Sequence, residues 1–260
     1  MFNKKNLDII KKDGILILEN FYDKNECKKL VRYSEKLLSK LKSKSEFSKY
    51  CQVINSPFQY NSFFFKYVLN QKIDLFMKSL IDEHYVLLNS NIINRSIEND
   101  IVSKRGNMGE KWHTDSRLIG NRSLEPGISY IIVTMLEDFT NKNASTEYIK
   151  SSHKKNINYL SKITKDKNKI KKLIGKSGTV AIFDSKLMHR GGASTENSRW
   201  SIYSYYGPWF IKPYFDYRQM LGKKINTLPK PIKKILHFYS TPPKNDYKRN
   251  FTLEYKKYTR

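Results

Sequence analysis

Alanine is almost missing from this 260-residue chain: it stands only at Ala144, Ala181 and Ala193, while Lys, Asn and Ile recur throughout. An AT-rich coding sequence produces that bias. It also raises positive charge without selection for a polyanionic partner. Acidic residues are correspondingly scarce, with 49 Lys and Arg against 24 Asp and Glu, so the formal net charge is +25. Such a charge cannot by itself be read as a nucleic-acid or membrane signal. Cysteine is scarce too. Cys27 and Cys51 are the whole complement, which excludes a disulfide framework, and neither has a partner at metal-ligand spacing. Two reduced thiols suit a cytoplasmic protein. No apolar run approaches the roughly 20 residues that a membrane span requires. The opening MFNKKNLDIIKKDG is interrupted by charge throughout and does not read as a signal peptide.

What is present points to a packed domain. Eighteen Tyr, fourteen Phe and three Trp exclude a disordered chain, and the length suffices to bury a core without staples. No repeat or Gly/Ser linker divides the sequence, so residues 1–260 are expected to form a single domain. Its charge is uneven. Residues 150–176 hold ten Lys against Asp166, and residues 211–260 hold thirteen Lys and Arg against three acids. These two stretches carry nineteen of the twenty-five net charges (9 + 10). A solvated basic face is the reading favoured over a dedicated anion-binding one.

Periodicity changes along the chain. Ile15-Leu16-Ile17-Leu18 follows the turn Asp13-Gly14 and reads as a short strand. Asp23, with Glu26 three residues on, can cap a helix whose apolar positions run from Cys27 through Leu30, Val31, Leu37 and Leu41. A second helix is predicted from Gln71 to Ile81, with Ile73, Phe76, Met77 and Leu80 on one face. From Tyr85 onward the runs turn short, β-branched and aromatic: Tyr85 to Ile93, Ile128 to Leu136, Thr179 to Phe183, and Trp200 to Tyr206. Helical support over about 20–82, a strand-rich core over about 85–210 and a basic tail over about 211–260 follow. This is an antiparallel β-sandwich or barrel buttressed by helices. The tail holds Pro229, Pro231, Pro242 and Pro243 and should pack over the sheet as irregular or partly helical chain.

One segment carries chemistry: Lys111-Trp112-His113-Thr114-Asp115-Ser116-Arg117. On an extended chain His113 and Asp115 point to one face and can reach one metal ion. The best third ligand is His189, which lies just past the strand ending at Phe183. Two neutral imidazoles and a carboxylate form a facial triad that leaves open positions suited to non-haem Fe(II). His-x-Asp alone is a weak signal and is more often a surface turn. Ten residues beyond His189, Arg199 heads a strongly apolar strand. A guanidinium there needs a carboxylate partner, from an internal salt bridge or from a ligand. Its planar fork matches a carboxylate bidentately. Ser201, two residues on, faces the same way and adds a hydroxyl.

Taken together, His113-x-Asp115, His189 and Arg199 resemble the phytanoyl-CoA dioxygenase family of Fe(II)/2-oxoglutarate-dependent oxygenases. The opening Asp13 to Phe21 is similar to that family's first strand and the chain leading to its first helix. Trp112 precedes the metal His, as it often does there. Ser151-Ser152-His153-Lys154 resembles a Gly-Ser-His-Lys segment, with Ser151 where the family usually has Gly. The resemblance spans roughly residues 10–210. It implies a mainly β fold with flanking helices around a double-stranded β-helix (jelly-roll, cupin-like) core. It implies Fe(II) held by His113, Asp115 and His189, with O2 and 2-oxoglutarate as cosubstrates. Arg199, helped by Ser201, would clamp the distal carboxylate of 2-oxoglutarate, and Asn94 would supply a further polar contact to the cosubstrate. The implied reaction is hydroxylation of a C–H bond in a small substrate, with release of succinate and CO2. A carboxylate at Asp115 argues against halogenation, since related halogenases have a small residue there. The same ligands could support epimerisation, desaturation or ring closure.

The remaining histidines read as structural: His153 in the turn motif, His84 at a helix end, and His237 packed among apolar neighbours. Arg117 and Arg190 flank the metal residues and face either a substrate anion or solvent. Gly191-Gly192 shapes the turn after His189. The competing reading is a non-catalytic jelly-roll module binding a polyanion through its basic face. A pure binder has no reason to keep the triad and Arg199 together. Nucleic acid is disfavoured, because the basic residues lie outside the aromatic strand. The basic rim mildly favours an anionic small-molecule substrate, and the oligomeric state is open.

Overall fold

A computed structural model of the chain describes residues 3–41, 46–48, 51–95, 111–116, 128–155, 162–192 and 199–240. Arg117, the Pro126-Gly127 turn and residues 241–260 of the basic tail lie outside the described residues. The chain opens with α1 (Lys4–Asp13), capped by the Asn3 side chain, which accepts the Asn6 N–H at 3.0 Å. This helix carries no strong sequence signal. Ile10 is its one buried residue, and its other faces are polar. β1 (Ile15–Leu18) follows as expected. In α2 (Lys24–Leu41) Asp23 Oδ1 accepts the N–H groups of Asn25 and Glu26 at 2.8 and 3.1 Å. The Glu26 carboxylate reaches across to Lys66.

The region 20–82 is less purely helical than its sequence suggests. It contributes β2 (Glu46–Ser48) and β3 (Cys51–Asn55), besides α3 (Phe65–Val68) and α4 (Gln71–Leu80). The β3 run is short and mixed in polarity, so nothing in its composition separates it from loop. Asn70 caps α4 by accepting the Lys72 and Ile73 N–H groups. Then come β4 (Val86–Arg95), β5 (Tyr130–Met135), β6 (Glu147–Ile149), β7 (Ile170–Lys172), β8 (Val180–Asp184), β9 (His189–Arg190) and β10 (Arg199–Gly207). α5 (Tyr217–Leu221) and α6 (Lys230–Ile235) complete the described chain. They bear out a tail that packs partly as helix.

The strands form two antiparallel sheets of a jelly roll. The larger has the order β1-β8-β5-β10-β4-β3-β2, and the smaller has β7-β6-β9. Because side chains alternate, the larger sheet has two distinct faces. One face carries Leu16, Ile92, Ile132, Ile182, Trp200, Ile202 and Tyr206, and it buries them against the helical layer with Leu30, Phe58, Phe76 and Met77. The other carries Ile131, Val133, Met135, Ala181 and Phe183, which enclose the space under the smaller sheet together with Phe139, Leu173 and Leu187. Cross-strand register runs Phe183–Ile131–Tyr205–Asn89 through one row of this inner face. The next rows are Ala181–Val133–Tyr203–Asn91, then Met135–Ser201–Ile93, and last Arg199–Arg95–Cys51. Both cysteines are buried, and neither forms a disulfide.

Candidate metal centre

The smaller sheet and the loop before β5 bring the predicted triad together. His113 and His189 form an antiparallel bridge with reciprocal N–H to carbonyl bonds of 3.0 Å each. Past His113 the chain turns, and the Ser185 carbonyl accepts the N–H groups of Asp115 (2.9 Å) and Ser116 (3.2 Å). Asp115 therefore sits in a turn and not on the extended chain expected from the sequence, yet its carboxylate still faces both rings. Asp115 Oδ2 is 3.3 Å from His189 Nε2, and Oδ1 is 3.8 Å from His113 Nε2. One ligand atom from each of the three residues lies within 4.8 Å of the others.

The rings are held in the orientation that a metal needs. His113 Nδ1 is 2.7 Å from the Lys111 carbonyl, and His189 Nδ1 is 2.9 Å from the Leu187 carbonyl. A carbonyl only accepts, so each Nδ1 carries the proton and each Nε2 lone pair turns inward. The rings lie 4.3 Å apart between centroids, tilted by 53°, and Phe183 packs edge-on against His189 at 5.1 Å. Burial pushes the His189 pKa down to about 4, with the Leu187 carbonyl pulling weakly the other way. The imidazole is thus neutral and ligand-ready near neutrality. Two imidazole nitrogens and one carboxylate fit a facial site for a divalent transition ion, and Fe(II) in particular.

Arg199 lies in the last row of the inner face of the larger sheet and is 1% exposed. Its Nε and one terminal nitrogen donate to the Ala144 carbonyl at 3.0 and 2.5 Å, and the other terminal nitrogen donates to Ser201 Oγ at 3.2 Å. The guanidinium also covers the Phe139 ring at 3.9 Å. Among the described residues it forms no ion pair with a carboxylate. An internal salt bridge, one of its two predicted partners, is therefore not what the described residues provide. Desolvation lowers its pKa, Tyr203 opposes that, and the neighbouring Arg95 adds to it. Such a charge is costly to bury alone.

Ser201 takes its predicted place beside Arg199. Asn94 does not reach this face: it is in register with Trp200 and Gln52, and its Nδ2 donates to Gln52 Oε1 at 3.2 Å. The polar residues of β4 on the site face are Asn89 and Asn91, which the alternation of the strand, counted back from Arg95, would have identified. Other contributors are backbone groups or generic rings, such as the Ala144, Leu187 and Ser185 carbonyls and Phe139, and they leave no mark in a sequence. Arg190 is engaged within the protein. Its Nε donates to Glu147 at 2.7 Å, and it stacks on Trp112 at 4.6 Å. His153 Nε2 meets the Lys11 carbonyl at 3.1 Å, and His237 Nε2 meets that of Leu87 at 3.2 Å, so both are structural as expected. Gly192 allows close chain approach, since a Cβ there would lie 2.3 Å from the Ser145 carbonyl oxygen.

Residues 10–201 match the model of the phytanoyl-CoA dioxygenase family, and the chain belongs to that family. Its cofactors are Fe(II), 2-oxoglutarate and O2. Among solved structures, HygX from Streptomyces hygroscopicus with nickel, 2-oxoglutarate and hygromycin B bound is similar, with a TM-score of 0.62 at 15% identity. That match covers 84% of this chain and 92% of HygX. HygX with iron bound gives 0.61 at 13% identity over the same shares of the two chains. At these identities the likeness is one of fold, and it bears out the jelly roll. No curated protein matches the chain in sequence. Among the described residues, no helix is long and apolar enough to cross a membrane.

Proposed function

We propose that this chain is an Fe(II)/2-oxoglutarate-dependent dioxygenase that hydroxylates a C–H bond of a small-molecule substrate, with release of succinate and CO2. The observation that carries this reading is the pairing of the His113–Asp115–His189 donor set with a fully buried Arg199 that forms no ion pair with a carboxylate among the described residues. His113, Asp115 and His189 would hold the iron. When bound, Fe(II) supplies the redox chemistry that couples oxidative decarboxylation of 2-oxoglutarate to oxidation of the substrate.

The chain's own residues prepare that chemistry. The Lys111 and Leu187 carbonyls fix the ring tautomers, and the Ser185 carbonyl fixes the backbone that carries Asp115. Arg199 presents a charged fork at the floor of the site, pre-positioned by the Ala144 carbonyl and Ser201. It would take the distal carboxylate of 2-oxoglutarate and orient the 2-oxo acid end towards the triad. The surrounding Met135, Phe139, Phe183 and Leu187 exclude water from this volume. Asp115 as the third ligand supports hydroxylation over halogenation. Two cysteines outside any disulfide suit the cytoplasm.

Replacement of Arg199 tests the reading. Arg199→Ala should weaken 2-oxoglutarate binding by about 2–5 kcal/mol, the scale for removing one partner of a buried charge pair. Calorimetry in the presence of Fe(II) without O2 measures it. Iron affinity should change little. If cosubstrate and iron affinities fall together, Arg199 is a structural residue and not the clamp.

A further inference from the structure

Two carboxamides of β4 stand on the inner face with acceptors that no described residue satisfies. Asn89 is 8% exposed, and among the described residues neither its buried Oδ1 nor that of Asn91 has a hydrogen-bond partner. Buried acceptors are almost always paired, so an unpaired one needs an explanation. Register supplies the location. Asn89 shares a row with Tyr205, Ile131 and Phe183, and the Phe183 ring touches His189. Asn91 shares the next row with Tyr203, whose ring, like that of Tyr205, packs towards the inner apolar cluster. Arg199 lies two rows deeper.

2-Oxoglutarate cannot satisfy these oxygens. Its two carboxylates and its ketone carry acceptors only, as does the carboxylate end of a fatty acid. The missing partner must donate O–H or N–H. We infer that Asn89 and Asn91, flanked by Tyr203 and Tyr205, form a substrate subsite for a hydroxyl- or amine-bearing ring, such as a sugar or cyclitol. A hydroxyl both donates and accepts, so it satisfies a carboxamide at either end. The neighbouring tyrosine rings suit the apolar face of such a ring. The inference rests on the oxygenase reading and names the substrate class for the same site.

Two measurements on the full chain test it. The first needs no cofactor. Asn89→Leu and Asn91→Leu should each raise the melting temperature of the ligand-free protein by about 2 °C or more, because an unsatisfied acceptor is removed. A lower melting temperature in both would show that the carboxamides have partners within the fold, and the inference would fall. The second uses protein loaded with Fe(II) and 2-oxoglutarate, with succinate release as readout. Glucosamine, myo-inositol and kanamycin A are compared with decanoate. At least one donor-rich probe should stimulate release and decanoate should not. Each Leu variant should raise the half-maximal concentration of that probe about tenfold or more, and Asn89→Asp, which keeps the acceptors, should restore it most fully for the amine-bearing probes. Stimulation by decanoate alone, by no probe, or a larger effect of the Leu variants on 2-oxoglutarate than on the probe overturns the subsite. If 2-oxoglutarate fails to bind the wild-type chain, the oxygenase reading itself has failed, and the melting comparison still reports separately on the carboxamides.

Discussion

At the scale of single residues, chemistry here depends on groups held in one state by their surroundings. His189 and His237 illustrate it in different places. Burial lowers both pKa values to about 4. His237 has no part in the metal site and isolates the effect. Its folded pKa lies below the ordinary 6.5, so above pH 6.5 it is neutral in both states and costs nothing. As pH falls from about 6.5 to 4, the unfolded chain takes up a proton that the folded one refuses, and stability drops by roughly 3 kcal/mol. His237→Asn suits the positive φ of 62° at this position. It should flatten the acid limb of a denaturant-midpoint profile across that window. An unchanged limb would assign the acid sensitivity to other groups. Ser151 makes a second case. It holds φ 61°, a left-handed conformation that costs least for Gly. Ser151→Gly should therefore stabilise the fold by about 1 kcal/mol, less the contribution of its hydroxyl bond to the Lys12 carbonyl. Urea denaturation measures it, and destabilisation would mean that this hydroxyl bond outweighs the strain.

At the scale of elements, the strands that place the site were legible because burial on both faces makes them continuous apolar runs, as in β5 and β8. Their predicted limits fall within one or two residues of those observed. Helix α2 was legible through its Asp23 cap and its apolar stripe, and α4 through its apolar stripe alone. The short strands β6, β7 and β9 were not, although β9 carries His189. Two or three residues show no period, and tertiary pairing alone defines them. The misplacement of Asn94 has the same root. A polar residue late in a strand looks alike on either face, and only register decides. The corner joining β1 to α2 gives a further test. Gly178 holds φ 88° while its carbonyl accepts the Phe21 and Tyr22 N–H groups, and a Cβ there would lie 2.2 Å from the Tyr22 carbonyl oxygen. Gly178→Ala should destabilise the protein by about 2–4 kcal/mol, read from denaturant midpoints, because both the backbone and its neighbour must shift. A cost below about 1 kcal/mol would show that the corner is free to relax.

At the scale of the whole molecule, the fold supplies a buried cation at Arg199, the His113–Asp115–His189 cluster and two rows of polar and aromatic residues between β4 and β10. The charge of +25 follows the bias towards Lys over Arg and Ile over Ala more closely than it follows any feature of this face. The proposed function requires one site to bind Fe(II) through His113, Asp115 and His189 and 2-oxoglutarate through Arg199. Anaerobic titration tests it most directly: Fe(II) is added to the purified chain, then 2-oxoglutarate, while the weak visible charge-transfer absorption of an Fe(II)–2-oxo-acid chelate is followed. The band should grow to one equivalent of each in the wild-type chain and be absent from His113→Ala. A well-folded wild-type chain without the band, or a His113→Ala variant that keeps it, would rule out this metal and cosubstrate assignment.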